Sequence, residues 1–302
     1  MKKRVALLLA ALIAALACAA AAEGVRVTDM TGREIALDAP LTRVVVLQPS
    51  DAEILNAIGA LDVIVGRGAY VDYPAEVLEI PEVASGAETN LEQILALQPQ
   101  AVIMPKMAQP LEQIAALENA GVRVVETDAS DIAGVYDAVT LIGALVGREA
   151  EAAVVVEEMR AAFDEVAAQA GQSGKTVYFE ISPLVYGLWT AGQGTFMDEL
   201  ASLCGMTNVF ADLSGWQSVS AEQVIALNPD YIVTTTNYPV DGVEPLDEIA
   251  AREGWAEIAA VANGNVVIAD NDAMTRPGPR LVEAARFLLE LLQGEGAQAD
   301  AA

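Results

Sequence analysis

The stretch LEQILALQPQAVI at residues 91–103 returns as AEQVIALNPDYIV at residues 221–233. Glu92/Glu222, Gln93/Gln223, Ala96/Ala226, Leu97/Leu227 and Pro99/Pro229 are identical, and most other positions exchange one aliphatic side chain for another. Each copy reads as a short amphipathic helix stopped by proline, which has no backbone donor to continue it, followed by an apolar strand. A repeat this widely spaced is no stacked solenoid, whose units are roughly 20–50 residues long. It implies two similar lobes with a cleft between them.

The duplication extends outward. RVVVL precedes EILNAIG, with Glu53 and Gly59, in the first half, and TVYFEI precedes ELASLCG, with Glu199 and Gly205, in the second. AGVRVVETD around Val122 and ANGNVVIAD around Val266 follow in the same order, each succeeded by a helical pattern. Each half therefore reads β-α-β-α-β-α, an α/β pattern in which a small, mainly parallel sheet is covered by helices. Between the halves, residues 148–169 (REAEAAVVVEEMRAAFDEVAAQ) are helical by propensity and spacing and are closed by Gly171 and Gly174. At about 1.5 Å rise per residue such a helix spans roughly 33 Å, enough to run along both lobes and limit their opening. The expected organisation is a signal peptide at 1–22, an N-terminal lobe at 25–146, an interlobe helix at 147–172, a C-terminal lobe at 173–294 and a disordered tail at 295–302.

The N-terminus gives the destination. Lys2, Lys3 and Arg4 precede an apolar run at residues 5–17, then small residues, Glu23 and Gly24. That is the layout of a bacterial secretory signal, and the run falls short of the roughly 20 residues of a membrane span. Cleavage before Cys18 would leave a cysteine for lipidation, although Ala15 stands where a lipobox carries leucine; cleavage after Ala22 would satisfy the Ala-x-Ala rule. The expected place is the periplasm or the outer face of the cytoplasmic membrane.

Composition narrows the function. Loss of Lys2, Lys3 and Arg4 with the signal takes the formal net charge of −27 to −30, which excludes nucleic acid as a partner, since phosphates demand clustered Lys and Arg. Cys204 is the only cysteine beyond the signal, so no intramolecular disulfide forms, and its apolar setting ASLCGMTN marks it as core filler. Histidine is absent, which removes Ser-His-Asp and Cys-His catalysis and the His-rich sites that hold zinc or copper. There is no Walker loop and no dinucleotide-binding glycine motif after a strand. The reading is a binding protein, not an enzyme, with no cofactor and no metal site. Aromatic residues are scarce, yet Tyr70, Tyr73, Tyr186, Trp189, Trp216 and Tyr238 fall in expected turns, with Arg276 in the last βα loop. Rings gathered around a cleft hold broad, flat ligands by area and stacking.

Taken together, the chain resembles the substrate-binding proteins of ABC importers, in the helical-backbone class that carries cobalamin, ferric siderophores and haem. The resemblance runs from Val27-Thr28-Asp29 with Gly32-Arg33, through RVVVLQPSDAEIL, the VDYP turn, NLEQILALQP, GTFMDEL and SAEQVIALNPD, to Arg276-Pro277-Gly278-Pro279-Arg280. It implies that Glu92 and Glu222, one per lobe, dock on the two subunits of a permease dimer served by an ATPase. The reading competing with that one is helix N-terminal electrostatics, worth about 0.3–1 kcal/mol each. In residue detail the match is to the cobalamin-binding branch, which implies that Tyr70, Trp189, Trp216, Asp272 and Arg276 contact a corrin ligand; Gly86 stands where that branch carries a tryptophan. The expected cargo is cobalamin or a related corrinoid, with a ferric hydroxamate siderophore as the alternative. A strongly anionic ferric catecholate would want several converging arginines, and the pocket loops offer Arg67, Arg276 and Arg280. A monomer is expected, touching the membrane only through the permease or a lipid anchor.

Overall fold

The computed structural model describes residues 24–85, 89–106 and 111–294. The signal segment with Cys18, Gly86, and the tail at 295–302 lie outside the described residues.

In the N-terminal lobe an antiparallel ribbon of β1 (Val25–Thr28) and β2 (Glu34–Leu37) leads into β3 (Val44–Val46), α1 (Pro49–Ala57), β4 (Ile64–Gly68), β5 (Glu82–Val83), α2 (Leu91–Ala96), β6 (Ala101–Pro105), α3 (Leu111–Asn119), β7 (Arg123–Thr127) and α4 (Ile132–Val146). The sheet order is β5-β4-β3-β6-β7, with every pair parallel. The long helix α5 (Glu149–Ala170) follows. The C-terminal lobe comprises β8 (Thr176–Glu180), β9 (Trp189–Ala191), α6 (Phe196–Leu203), β10 (Thr207–Asn208), β11 (Trp216–Ser218), α7 (Ala221–Leu227), β12 (Tyr231–Thr234), α8 (Pro245–Ala251), α9 (Ala259–Ala262), β13 (Val266–Ile268), α10 (Asn271–Thr275) and α11 (Leu281–Gln293). Its parallel sheet runs β10-β8-β12-β13, so β4-β3-β6-β7 recurs in the second lobe.

The repeat is copied down to backbone angles. The sequence repeat maps onto α2–β6 and α7–β12, and Gln98 and Asn228, at matching positions between helix and proline, both take left-handed angles of φ 51° and 45°. Gly59 and Gly205 both sit at φ 67°, where an L side chain would be strained. Asn90 caps α2 by accepting from the Gln93 amide at 3.1 Å, and Ser220 with Gln223 closes a capping box on α7.

Beyond the three strands of the β-α-β-α-β-α reading, both parallel sheets gain a matching strand, β4 and β10; the N-terminal sheet also gains the two-residue β5, and each lobe adds a two-stranded antiparallel ribbon. β4 is interrupted by Gly66, whose missing Cβ leaves room for Leu97 at the end of α2, and β10 is a polar pair of residues. Neither offers a periodic apolar pattern to read.

The central strands are apolar on both faces because both are covered. Val45, Val102 and Met104 pack into a cluster of the N-terminal lobe alone, and Tyr178 and Ile232 into one of the C-terminal lobe alone. The opposite faces, with Val44, Val46, Ile103, Val177, Phe179 and Val233, join a single core that runs through both lobes. α5 bridges that core with a stripe of Ala152, Val155, Val156, Met159, Phe163 and Val166, packing on α4 from one lobe and on α6 and α11 from the other. Cys204 is buried in the same core, its thiol donating to the Ala285 carbonyl at 3.3 Å and pushed up to about 12 by burial.

Candidate functional site

Parallel sheets bind ligands outside the carboxyl ends of their strands, where the chain turns into loops. The residues just past β3, β6 and β7 (Gln48, Lys106, Asp128) face Phe196, Trp216, Thr275 and Pro277 of the other lobe across a cavity of about 300 Å³. The N-terminal wall is polar. Lys106 Nζ pairs with Asp128 Oδ2 at 2.7 Å, an ion pair that also holds the ammonium above its usual range, and Thr127 reaches down to Asp51. Sequence reading missed this wall; the ends of strands β6 and β7 were the signal that could have found it.

The C-terminal wall is aromatic, and here the sequence reading needs correction. Trp189 and Trp216 lie in strands, not turns: β9 and β11 pair antiparallel with Trp216 opposite Ala191 and Ser218 opposite Trp189, which places both indoles on one face of a two-stranded ribbon. Three-residue strands bounded by glycines are too short to show alternation. Trp216 packs edge to face on Phe196, with ring centroids 5.3 Å apart, while both indoles keep about two fifths of their surface exposed. Tyr70, Tyr186 and Tyr238 project from the loops after β4, β8 and β12, each at least half exposed. They meet neither one another nor the tryptophans in an aromatic contact among the described residues.

Arg276 stands at the cleft edge between Thr275 and Pro277, and its guanidinium meets Asp272 at 2.8 Å, Asp72 at 2.9 Å and Glu53 at 3.0 Å. Asp72 and Glu53 belong to the opposite lobe, so Arg276 ties the lobes together. Arg280 stacks 4.6 Å above the Tyr73 ring and reaches Glu53 at 3.8 Å, also across the interface. Arg67 is taken up by Glu82 at 3.2 Å and by the carbonyls of Gly68 and Val71. Arg67 lies within β4 and not in a pocket loop, and all three arginines are occupied by the protein's own acceptors. Burial pushes the Glu53 carboxyl up to about 7, outweighing Arg276 and Arg280, and pushes Asp272 up as well.

Below this floor Asp51 is fully buried at the start of α1. Its Oδ2 accepts from the Thr127 hydroxyl at 3.0 Å, whereas Oδ1 has no hydrogen-bond partner among the described residues. Desolvation drives its pKa up to about 7, only partly offset by that hydroxyl.

Glu92 and Glu222 sit in the first turns of α2 and α7, both exposed and apart from the cleft lining. The backbone N–H of Glu222 itself, ahead of the Ser220 hydroxyl, holds its carboxyl below the usual range. A larger open groove of about 830 Å³ runs along α4, α5 and α6 and includes none of the expected ligand or docking residues. Among the described residues no group of three or more His, Cys, Asp or Glu side chains is placed to hold a metal ion, and no helix is long and apolar enough to cross a membrane.

A family model described as "Periplasmic binding protein" matches residues 44–273, from β3 to α10. The chain belongs to the periplasmic binding protein family. It is 32% identical over 88% of its length, and 84% of the relative's, to an ABC transporter substrate-binding lipoprotein, YvrC, of Bacillus subtilis. Among solved structures it resembles the vitamin B12-binding protein of Vibrio cholerae (TM-score 0.71, 26% identity, 86% of this chain and 99% of that one) and a possible iron-binding, periplasmic solute-binding protein of Staphylococcus epidermidis (TM-score 0.73, 29% identity, 83% and 98%). This substrate-binding protein is thus a transport component of an ABC system, working outside the cytoplasm, and not an enzyme. Its two-lobed α/β architecture is that of those structures.

Proposed function

We propose that this protein carries cobalamin or a related corrinoid to an ABC importer. The supporting observation is the pairing of an aromatic ribbon, Trp189 and Trp216 backed by Phe196, with arginines already neutralised by Glu53, Asp72, Asp272 and Glu82. A bulky, nearly neutral ligand gains contact area on such rings without needing free cations. A vitamin B12-binding protein of Vibrio cholerae, 28% identical over 84% of this chain, supports the same reading. Of the expected ligand residues Trp216 lines the cavity of about 300 Å³, while Tyr70, Tyr186, Trp189 and Tyr238 are exposed outside its lining, so on this reading the ligand extends beyond the cavity to reach them. Glu92 and Glu222 then dock one on each permease subunit, an arrangement suited to a pseudo-symmetric partner.

One observation favours the second reading, a ferric hydroxamate siderophore: the polar wall of Gln48, Lys106, Thr127 and Asp128 offers hydrogen bonds suited to hydroxamate and amide groups. Titration with cobalamin and with a ferric hydroxamate, followed by tryptophan fluorescence and melting temperature, separates the two. Quenching by cobalamin at micromolar concentration supports the corrinoid; no response to cobalamin with a raised melting temperature in the ferric hydroxamate transfers the assignment. The lipoprotein from Bacillus subtilis supports lipidation at Cys18, and the mass of the mature N-terminus decides between that and cleavage after Ala22.

A further inference from the structure

Glu53 and Glu199 are the repeat's other pair of matching acids, six residues before Gly59 and Gly205 in the first helix of each lobe. Neither lines the cavity or belongs to the proposed docking pair. Glu53, 1% exposed, crosses to the C-terminal lobe, where its Oε1 accepts from Arg276 Nη1 at 3.0 Å and lies 3.8 Å from Arg280. Glu199 crosses the other way: its Oε2 accepts from the Ile132 amide at 2.7 Å, at the first residue of α4. Beside it the Phe196 amide donates to the Ser130 carbonyl at 2.8 Å, a second bond between the lobes. Each held segment follows an edge strand of its sheet, but Glu199 meets the first residue of α4 whereas Glu53 meets Arg276 and Arg280, after α10. Residues 128–131 follow β7 and residues 269–280 contain the segment after β13, the outermost strand of each sheet.

We propose that Glu53 and Glu199 are a repeat-related pair of interlobe positioning residues, each holding the cleft-rim loop of the opposite lobe and together setting the width of the cleft. The loop held by Glu199 carries Asp128 and Ala129, and the one held by Glu53 carries Thr275 and Pro277; all four line the cavity. The two contacts join different pairs of elements, Glu53 of α1 with residues after α10 and Glu199 of α6 with the start of α4. Their chemistry differs. One acceptor meets guanidinium groups, which can follow small shifts of the carboxylate through their several donors; the other meets a single N–H fixed at a helix start, which tolerates little displacement. The inference rests on membership of the family and not on the identity of the cargo.

The test is made on ligand-free protein. Spin labels are placed at Arg123→Cys and Asn263→Cys, exposed positions in opposite lobes, with the buried Cys204 left unlabelled, and the interlobe distance distribution is measured by pulsed electron resonance. Glu53→Ala and Glu199→Ala should each broaden the distribution roughly twofold, the double variant more, and Glu199→Gln should restore the parental width because its amide oxygen still accepts from Ile132. A parental width in either folded alanine variant, or a Glu199→Gln distribution as broad as that of Glu199→Ala, overturns the proposal. Should an alanine variant fail to fold, Glu199→Asp, one methylene too short to reach, replaces it. Hydrogen exchange at the Ile132 amide should then quicken about tenfold while Gly134, capped by Asp131, is unchanged, and an unchanged Ile132 refutes the latch.

Discussion

Replacing Asp51 by Asn should flatten the pH dependence of stability in a defined window. In the folded chain the Asp51 carboxyl is fully buried, accepts a single hydrogen bond from Thr127, faces no cation, and titrates near 7 instead of 3.8. The folded state therefore binds a proton more readily than the unfolded state, and the stability this supplies is fully present below about pH 4 and is lost as pH rises through 7. The shift of roughly three units corresponds to about 4 kcal/mol across the window, near 1.4 kcal/mol per pH unit for one proton. Glu53, also raised to about 7, adds a slope of the same sign and remains in the variant. Asn keeps an oxygen for the Thr127 hydroxyl and nearly the same volume, so packing is preserved. Urea unfolding from pH 4.5 to 8 should show the wild type losing stability faster than Asp51→Asn, the gap closing toward pH 4.5 and greatest above 7. A stability difference independent of pH between 5 and 7 would falsify the buried-carboxyl account and mean that solvent reaches Oδ1.

Three further outcomes are expected. Glu92→Ala with Glu222→Ala should lower uptake by about tenfold or more while ligand affinity stays within about twofold, measured on the same preparation; normal uptake removes the docking role. Trp216→Ala and Trp189→Ala should each weaken cargo binding by at least about 2 kcal/mol, or about 30-fold, by fluorescence or calorimetry, with Trp216→Ala also lowering the melting temperature slightly through loss of its contact with Phe196. Closure on ligand should be a few degrees, because α5 and a common core join the lobes; a large fall in radius of gyration by small-angle scattering on adding ligand contradicts it.

The sequence by itself determined the architecture. The repeated helix-proline-strand unit, the paired glycines and the 148–169 helix are local signals, set by turn chemistry and periodicity over a dozen residues, and the structure places α2–β6, α7–β12 and α5 (Glu149–Ala170) where they are read. The helix caps are local in the same way, since Asn90 and Ser220 act on amides three residues away. What only the tertiary structure decided are the pairings across distance. Arg276 could be read as a cleft cation, but its neutralisation by Glu53, 223 residues earlier, depends on how two lobes dock. The polar wall of Lys106 and Asp128, the tryptophan ribbon formed by β9 and β11, and the desolvation of Asp51 have the same origin. Burial and long-range partners are properties of packed surfaces, and no local period records which surfaces will meet.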